Sequence, residues 1–211
     1  MRVLILDGHP DSDRLTAALL DAYESGLPAG TQVARIAVRD LDFDPNLRRG
    51  YDTVQDWEPD LHLVWQAILA ADHVVLGFPL WWGAEPSRTK GLWDRLLVPT
   101  KAFTVDEGAL LPRPMLRGRS ADLIVTMDTP PAIYRWLVLD PVGQRIGWQV
   151  FGYCGIDPVR RFYFGMVREG GARRGFPAWS ARLRRAAATA GRLRSRPVAR
   201  EAAIDAQEDA A

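Results

Sequence analysis

Short apolar runs, each followed by a stretch of helical period, constrain this chain more than any other feature of its sequence. Arg2 to Asp7 is too short for a helix and stops at Gly8, as a strand buried on both faces does. Asp11 or Ser12 can cap the helix that follows, with Leu15, Leu19 and Ala22 on one face, and Gly26, Pro28 and Gly30 end it. Val33, Ile36 and Val38 mark a second strand. Residues 39–58 have no period and many turn formers, and loops of that length in compact domains are more often functional than idle. Pro59 opens a helix that buries Leu61, Val64, Trp65, Ile68 and Leu69. His73 to Phe78 is a third strand, Ser87 to Leu97 a helix, and Ala121 to Met127 a fourth strand. Residues 133–153 read as helical and heavily apolar, Val159 to Val167 as a fifth strand, and 178–196 as a closing helix.

Strands alternating with helices build βαβ units around a parallel sheet. Five such strands with right-handed crossovers give a three-layer α/β sandwich, and the expected strand order is 2-1-3-4-5, the flavodoxin-like arrangement. Periodicity alone does not separate that order from the six-stranded alternative. The domain is expected over 1–197, with the acidic, anchor-poor stretch 198–211 as a flexible tail. Composition removes other classes. Lys plus Arg number 27 against 26 for Asp plus Glu, a net charge of +1 without the basic surplus of a nucleic-acid binder. A single cysteine, Cys154, and three scattered histidines exclude a disulfide framework and make a metal site an unfounded expectation. No apolar stretch approaches the roughly 18 residues of a membrane span, and none forms a signal peptide, so a cytoplasmic location is expected. The arginines of 182–196 read as the solvated face of a helix.

In an open parallel sheet of this order, ligands bind beyond the carboxyl ends of the strands, which makes the loops after strands 1, 3 and 4 the places to look. Gly8 to Thr16 runs into a helix start, where exposed amides favour a phosphate and His9, Arg14 and Thr16 add donors. Taken alone, this loop is equally a helix start capped by its own Asp and Ser. Pro79-Leu80-Trp81-Trp82-Gly83 follows a strand and precedes a glycine, a place where flat side chains wall a pocket for a flat ligand rather than fill a core. Thr126-Met127-Asp128-Thr129 precedes two prolines, and Tyr134 beyond them either overhangs the same pocket or is an ordinary packed tyrosine.

The stretch PLWWGAEPSRTKGLWDRLL, residues 79–97, resembles the flavodoxin-like NAD(P)H dehydrogenase (quinone) family, with Pro79, Leu80, Trp82, Pro86, Lys90, Gly91, Asp94 and Arg95 in place. Weaker matches follow in the right order: GHP at 8–10, DLDFDP at 40–45, Thr126 with Tyr134 eight residues later, and FGYCGI at 151–156.

That resemblance implies a bound flavin, FMN or FAD, with FMN slightly favoured because the long C-terminal extension of some members has no counterpart. It implies that His9, Arg14, Leu15 and Thr16 hold the phosphate and ribityl chain. Pro79, Leu80, Trp81, Trp82 and Gly83 would lie beside the isoalloxazine, with Thr126, Met127, Asp128 and Thr129 at its other edge. Tyr134 would cap the substrate, and Asp140 stands where members carry a proton-handling histidine. The implied activity is ping-pong transfer of hydride from NAD(P)H through flavin N5 to a quinone or other small electrophile, in a homodimer without nucleic-acid or membrane partners. The rival reading is a flavin-binding regulatory (ancillary) subunit of a membrane transport system with little turnover of its own. The large apolar residues of 134–139, with Trp148 and Phe151, fit a subunit interface as well as they fit a deeply buried helix.

Overall fold

A computed structural model describes residues 1–106, 108 and 111–193. The expected tail, 198–211, lies outside the described residues, as does the end of the expected domain. The main strands are β1 (Arg2–Asp7), β2 (Gln32–Ala37), β3 (His73–Pro79), β6 (Arg119–Thr126) and β7 (Ile156–Phe164). Together they form one parallel sheet in the order β2-β1-β3-β6-β7. That is the order 2-1-3-4-5 once a two-residue hairpin, β4 (Phe103–Thr104) with β5 (Arg113–Pro114), is set aside.

Both faces of the sheet are covered, so alternate residues of each strand serve different cores. On one side Leu4, Leu6, Leu76, Phe78, Leu123 and Val125 pack with helices α2 (Pro59–Ala70) and α3 (Ser87–Leu96). On the other, Val3, Ile5, Val75, Ile124 and Phe164 pack with α1 (Leu15–Glu24) and α6 (Gly171–Ala187). This second core also holds a polar cluster. Asp122 of β6 accepts from the Tyr23 hydroxyl at 2.5 Å and from Arg160 at 2.6 and 2.7 Å. His73 lies 3.0 Å from the same hydroxyl and 2.8 Å from the Ser120 hydroxyl.

Several boundaries differ from expectation for identifiable reasons. Neither Asp11 nor Ser12 caps α1; Arg14 occupies the N-cap position and no side chain caps the helix. Residues 133–153 do not make one helix. Pro141, together with Leu139 and Asp140 at positive φ, splits them into α4 (Pro131–Trp136), α5 (Pro141–Gln144) and a π-helical stretch, Arg145–Gly152. β7 starts at Ile156 and ends at Phe164, before Val167. α6 begins at Gly171 instead of 178 and carries Pro177 within it, forgoing an amide donor there. Arg182, Arg184, Arg185 and Arg192 are exposed, as a solvated face requires.

Candidate functional site

The loops beyond the carboxyl ends of β1, β3, β6 and β7 enclose a cavity of about 780 Å³. His9, Arg14, Leu15 and Thr16 line it from the first loop, and Pro79, Leu80, Trp81, Trp82 and Gly83 from the second. Thr126, Met127, Asp128 and Thr129 line it from the third. The sequence reading missed Val167, Arg168 and Ala172, which close the cavity beside the start of α6. A last strand read through Val167 and a last helix read from 178 leave this loop out of view in the sequence.

The first loop is fixed by a polar clasp. Asp7, almost fully buried, accepts the His9 amide at 3.0 Å and the Arg39 guanidinium at 2.7 Å. Gly8 donates its amide to the Gly77 carbonyl at 2.7 Å, and a Cβ there would lie 2.9 Å from the Thr89 hydroxyl, so only glycine fits. His9 Nδ1 accepts the Asp11 amide at 3.0 Å, which leaves the ring proton of the neutral form on Nε2. Burial, outweighing the nearby carboxylates of Asp7 and Asp11, holds the His9 pKa below its ordinary value. The ring is therefore a neutral donor at pH 7. Arg14 binds Asp11 at 2.6 Å, so one of the two acids before the helix is already paired.

At the start of α1 the Thr16 hydroxyl is buried without a hydrogen-bond partner, and it lies on the cavity wall. A buried, unsatisfied hydroxyl beside uncapped helix amides is a site with donors to spare. Its chemistry matches an anion, and phosphate in particular.

The second loop is a tight turn. Trp81 and Ala84 exchange amide-to-carbonyl bonds of 2.9 and 3.0 Å around Trp82 and Gly83, both at positive φ (51° and 81°). Such turns favour Asn-Gly, and a bulky residue in the left-handed region costs about 1–2 kcal/mol. Trp82 is nonetheless held there, completely exposed, while the Trp81 ring meets His9 edge-on at 6.0 Å. The turn's own bonds use the amides of Trp81 and Ala84, leaving those of Trp82 and Gly83 to a ligand edge. Leu80 donates to the Thr126 carbonyl at 2.7 Å, and Asp128 pairs with Arg168 at 2.5 Å, so the third loop is tied on both sides.

Tyr134 and Asp140 are not brought to the cavity. Tyr134 is buried, accepts the Val142 amide at 3.1 Å, and has its hydroxyl pKa raised, burial being the main cause. Asp140 caps α5 through the Gly143 amide at 3.2 Å and binds Arg161 at 2.8 Å and the Tyr163 hydroxyl. Both side chains satisfy backbone and core groups. Cys154 is buried, and burial pushes its thiol up to about 12.

A parallel sheet of this order with a cavity across its switch point defines the flavodoxin-like class of α/β proteins. Residues 1–187 match the family model described as "Flavodoxin-like fold", and the chain belongs to that family. It is similar to an uncharacterised NAD(P)H oxidoreductase of Escherichia coli K12, 29% identical over 45% of this chain and 52% of that protein. The match thus spans about half the length of that relative. A second uncharacterised NAD(P)H oxidoreductase, from Haemophilus influenzae, is 26% identical over 79% of this chain and 85% of its own. The crystal structure of an FMN-dependent NADH-azoreductase from Bacillus anthracis, in complex with FMN, superposes with a TM-score of 0.69. It is 16% identical and covers 89% of this chain and 98% of that one, a likeness of fold.

Proposed function

We propose that the chain is a flavin-dependent NAD(P)H oxidoreductase that reduces a quinone, an azo compound or a similar small flat electrophile. One observation carries the reading: a buried, unsatisfied Thr16 hydroxyl at an uncapped helix start shares its cavity with an exposed tryptophan turn. That pairing of an anion seat with a flat apolar wall suits a flavin phosphate and ring. The names of the similar proteins, NAD(P)H oxidoreductases and an FMN-dependent azoreductase, support the same assignment and favour FMN.

In this reading the α1 amides, Thr16 and His9 Nε2–H hold the phosphate, with Arg14 at the rim. The turn at 81–84 covers one side of the ring through Trp82 and offers the Trp82 and Gly83 amides to a polar edge. Residues 126–129 bound the other edge, where Arg168 offsets the Asp128 charge. Bound there, the flavin would take hydride from NAD(P)H and deliver it to the acceptor, the two substrates using one place in turn. The exposed apolar residues Ile133, Trp136, Leu137 and Leu139, with the exposed Trp148, are the side chains we assign to a homodimer contact. The reading places the enzyme in the cytoplasm, with its reductant.

The test is to purify the protein, add FMN or FAD, and titrate anaerobically with NADH or NADPH. Flavin absorbance should bleach and return on adding a quinone, with parallel-line kinetics. A protein that stays colourless with both flavins overturns the proposal, and bound flavin that NAD(P)H does not reduce favours the regulatory subunit instead. Replacing Trp82 with Ala should weaken FMN binding by about tenfold, the loss of roughly one aromatic contact, as read by flavin fluorescence.

A further inference from the structure

We infer that Glu85 and Arg145 are the positioning pair that holds the Trp81–Ala84 turn at the cavity mouth and thereby sets how firmly a flat ligand is kept there. The consequence for ligand affinity rests on the flavin reading; the consequence for the turn does not.

Neither residue lines the cavity. Glu85 follows the turn directly, and its side chain is fully buried. Arg145, the first residue of the π-helical stretch, grips it with its two terminal guanidinium nitrogens, one at 3.1 Å from Oε1 and the other on Oε2. The turn therefore hangs between two fixed points: the Leu80 amide on the Thr126 carbonyl at 2.7 Å before it, and the Glu85 carboxylate on Arg145 after it. Between them Trp82 sits at a φ of 51°, a conformation that persists only where the surroundings over-determine it. Releasing one fixed point lets Trp82 fall back to negative φ and breaks the reciprocal Trp81–Ala84 bonds.

A buried ion pair adds little stability over well-packed apolar residues of similar volume. What a bidentate fork adds is direction, because two parallel bonds fix both distance and angle. The pair spans 60 positions of sequence and joins the turn to the segment that carries the exposed Trp148.

The test uses amide hydrogen exchange on the ligand-free protein, with FMN affinity measured in parallel. In Arg145→Met and Glu85→Gln, the Trp81 and Ala84 amides should exchange about tenfold faster while the β3 amides stay as in wild type. FMN should bind about tenfold more weakly. The charge swap E85R with R145E should restore both. Where Arg145→Met alone fails to fold, the double variant E85M with R145M removes the charges together; it should fold, yet still lose turn protection. Turn amides that exchange as in wild type in folded Arg145→Met, Glu85→Gln or E85M with R145M overturn the inference, as does a folded charge swap that leaves them fast. If wild type binds no flavin while the turn amides still respond, the functional reading falls and the positioning pair stands.

Discussion

On the flavin reading, replacing Thr16 with Asp will abolish tight FMN binding without unfolding the protein. The substitution puts a carboxylate where the structure has an unsatisfied hydroxyl, next to the helix amides that would hold a phosphate. Two like charges about 4 Å apart at an effective dielectric near 20 repel by roughly 4 kcal/mol, so a loss on the order of 100-fold in FMN affinity is a conservative figure. The same carboxylate gains about 0.3–1 kcal/mol from the start of α1, which offsets only part of the cost of burying a charge at Thr16, so the ligand-free variant should fold with a lowered melting temperature. Riboflavin, which lacks the phosphate, is the control: its affinity should change far less than that of FMN. Equal losses for both flavins, or no loss for either, would mean that the phosphate does not sit on α1.

Asp122→Ala should be the most damaging single change in the core. The carboxylate is fully buried and is the common acceptor of Tyr23 and Arg160, with His73 3.3 Å away. Burial by itself would raise its pKa, but the hydrogen bonds from Arg160 and His73 outweigh that and hold it below the ordinary value. Removing it leaves the half-buried Arg160 guanidinium without its carboxylate and the buried Tyr23 hydroxyl without its charged acceptor, a loss of about 3–5 kcal/mol. For a chain of this size that lowers the melting temperature by roughly 6–20 °C. The sign of the pH dependence follows from the lowered pKa. The contribution of Asp122 is complete above the unfolded carboxylate pKa of about 3.9 and fades as pH falls through its lower folded value. Wild type and variant should therefore differ fully at pH 7 and converge in strong acid. A melting temperature within about 2 °C of wild type at pH 7 would show that the cluster carries no net stability. Replacing Asp122 and Arg160 together with Leu and Met should recover much of the loss, because no charge is then left unpaired.

What could be read from sequence was whatever a local pattern encodes. Runs such as Val74 to Phe78 announce strands, and crossover handedness turns five of them into one sheet order. That order alone points to three loops, and their residues from His9 to Thr129 meet in one cavity. Features that depend on distant partners left no such trace. Glu85 is a lone acid in a loop until Arg145 reaches it, and Asp122 looks like a polar interruption in a strand until Tyr23, His73 and Arg160 surround it. The settings of Tyr134, Asp140 and Pro177 escaped the sequence for one shared reason. Each is a place where tertiary contacts override local preference: a buried hydroxyl, an acid at positive φ, and a proline carried inside a helix.

The two-faced burial of β1 also bears on how the chain avoids misfolding. Most strands are guarded against slipping by one residue, because a slip would drive polar side chains inward and apolar ones out. β1 has no such guard: Val3 and Ile5 face one core, Leu4 and Leu6 the other, and exchanging the two sets would cost little in polarity. The lock lies at the end of the strand. Gly8 makes the close approach to Gly77 and Thr89, and Asp7 is the strand residue that meets Arg39. The first residues of the cavity loop are thus the alignment key of the sheet, and a variant that remodels this loop for a new ligand risks mispairing the strand at the same stroke.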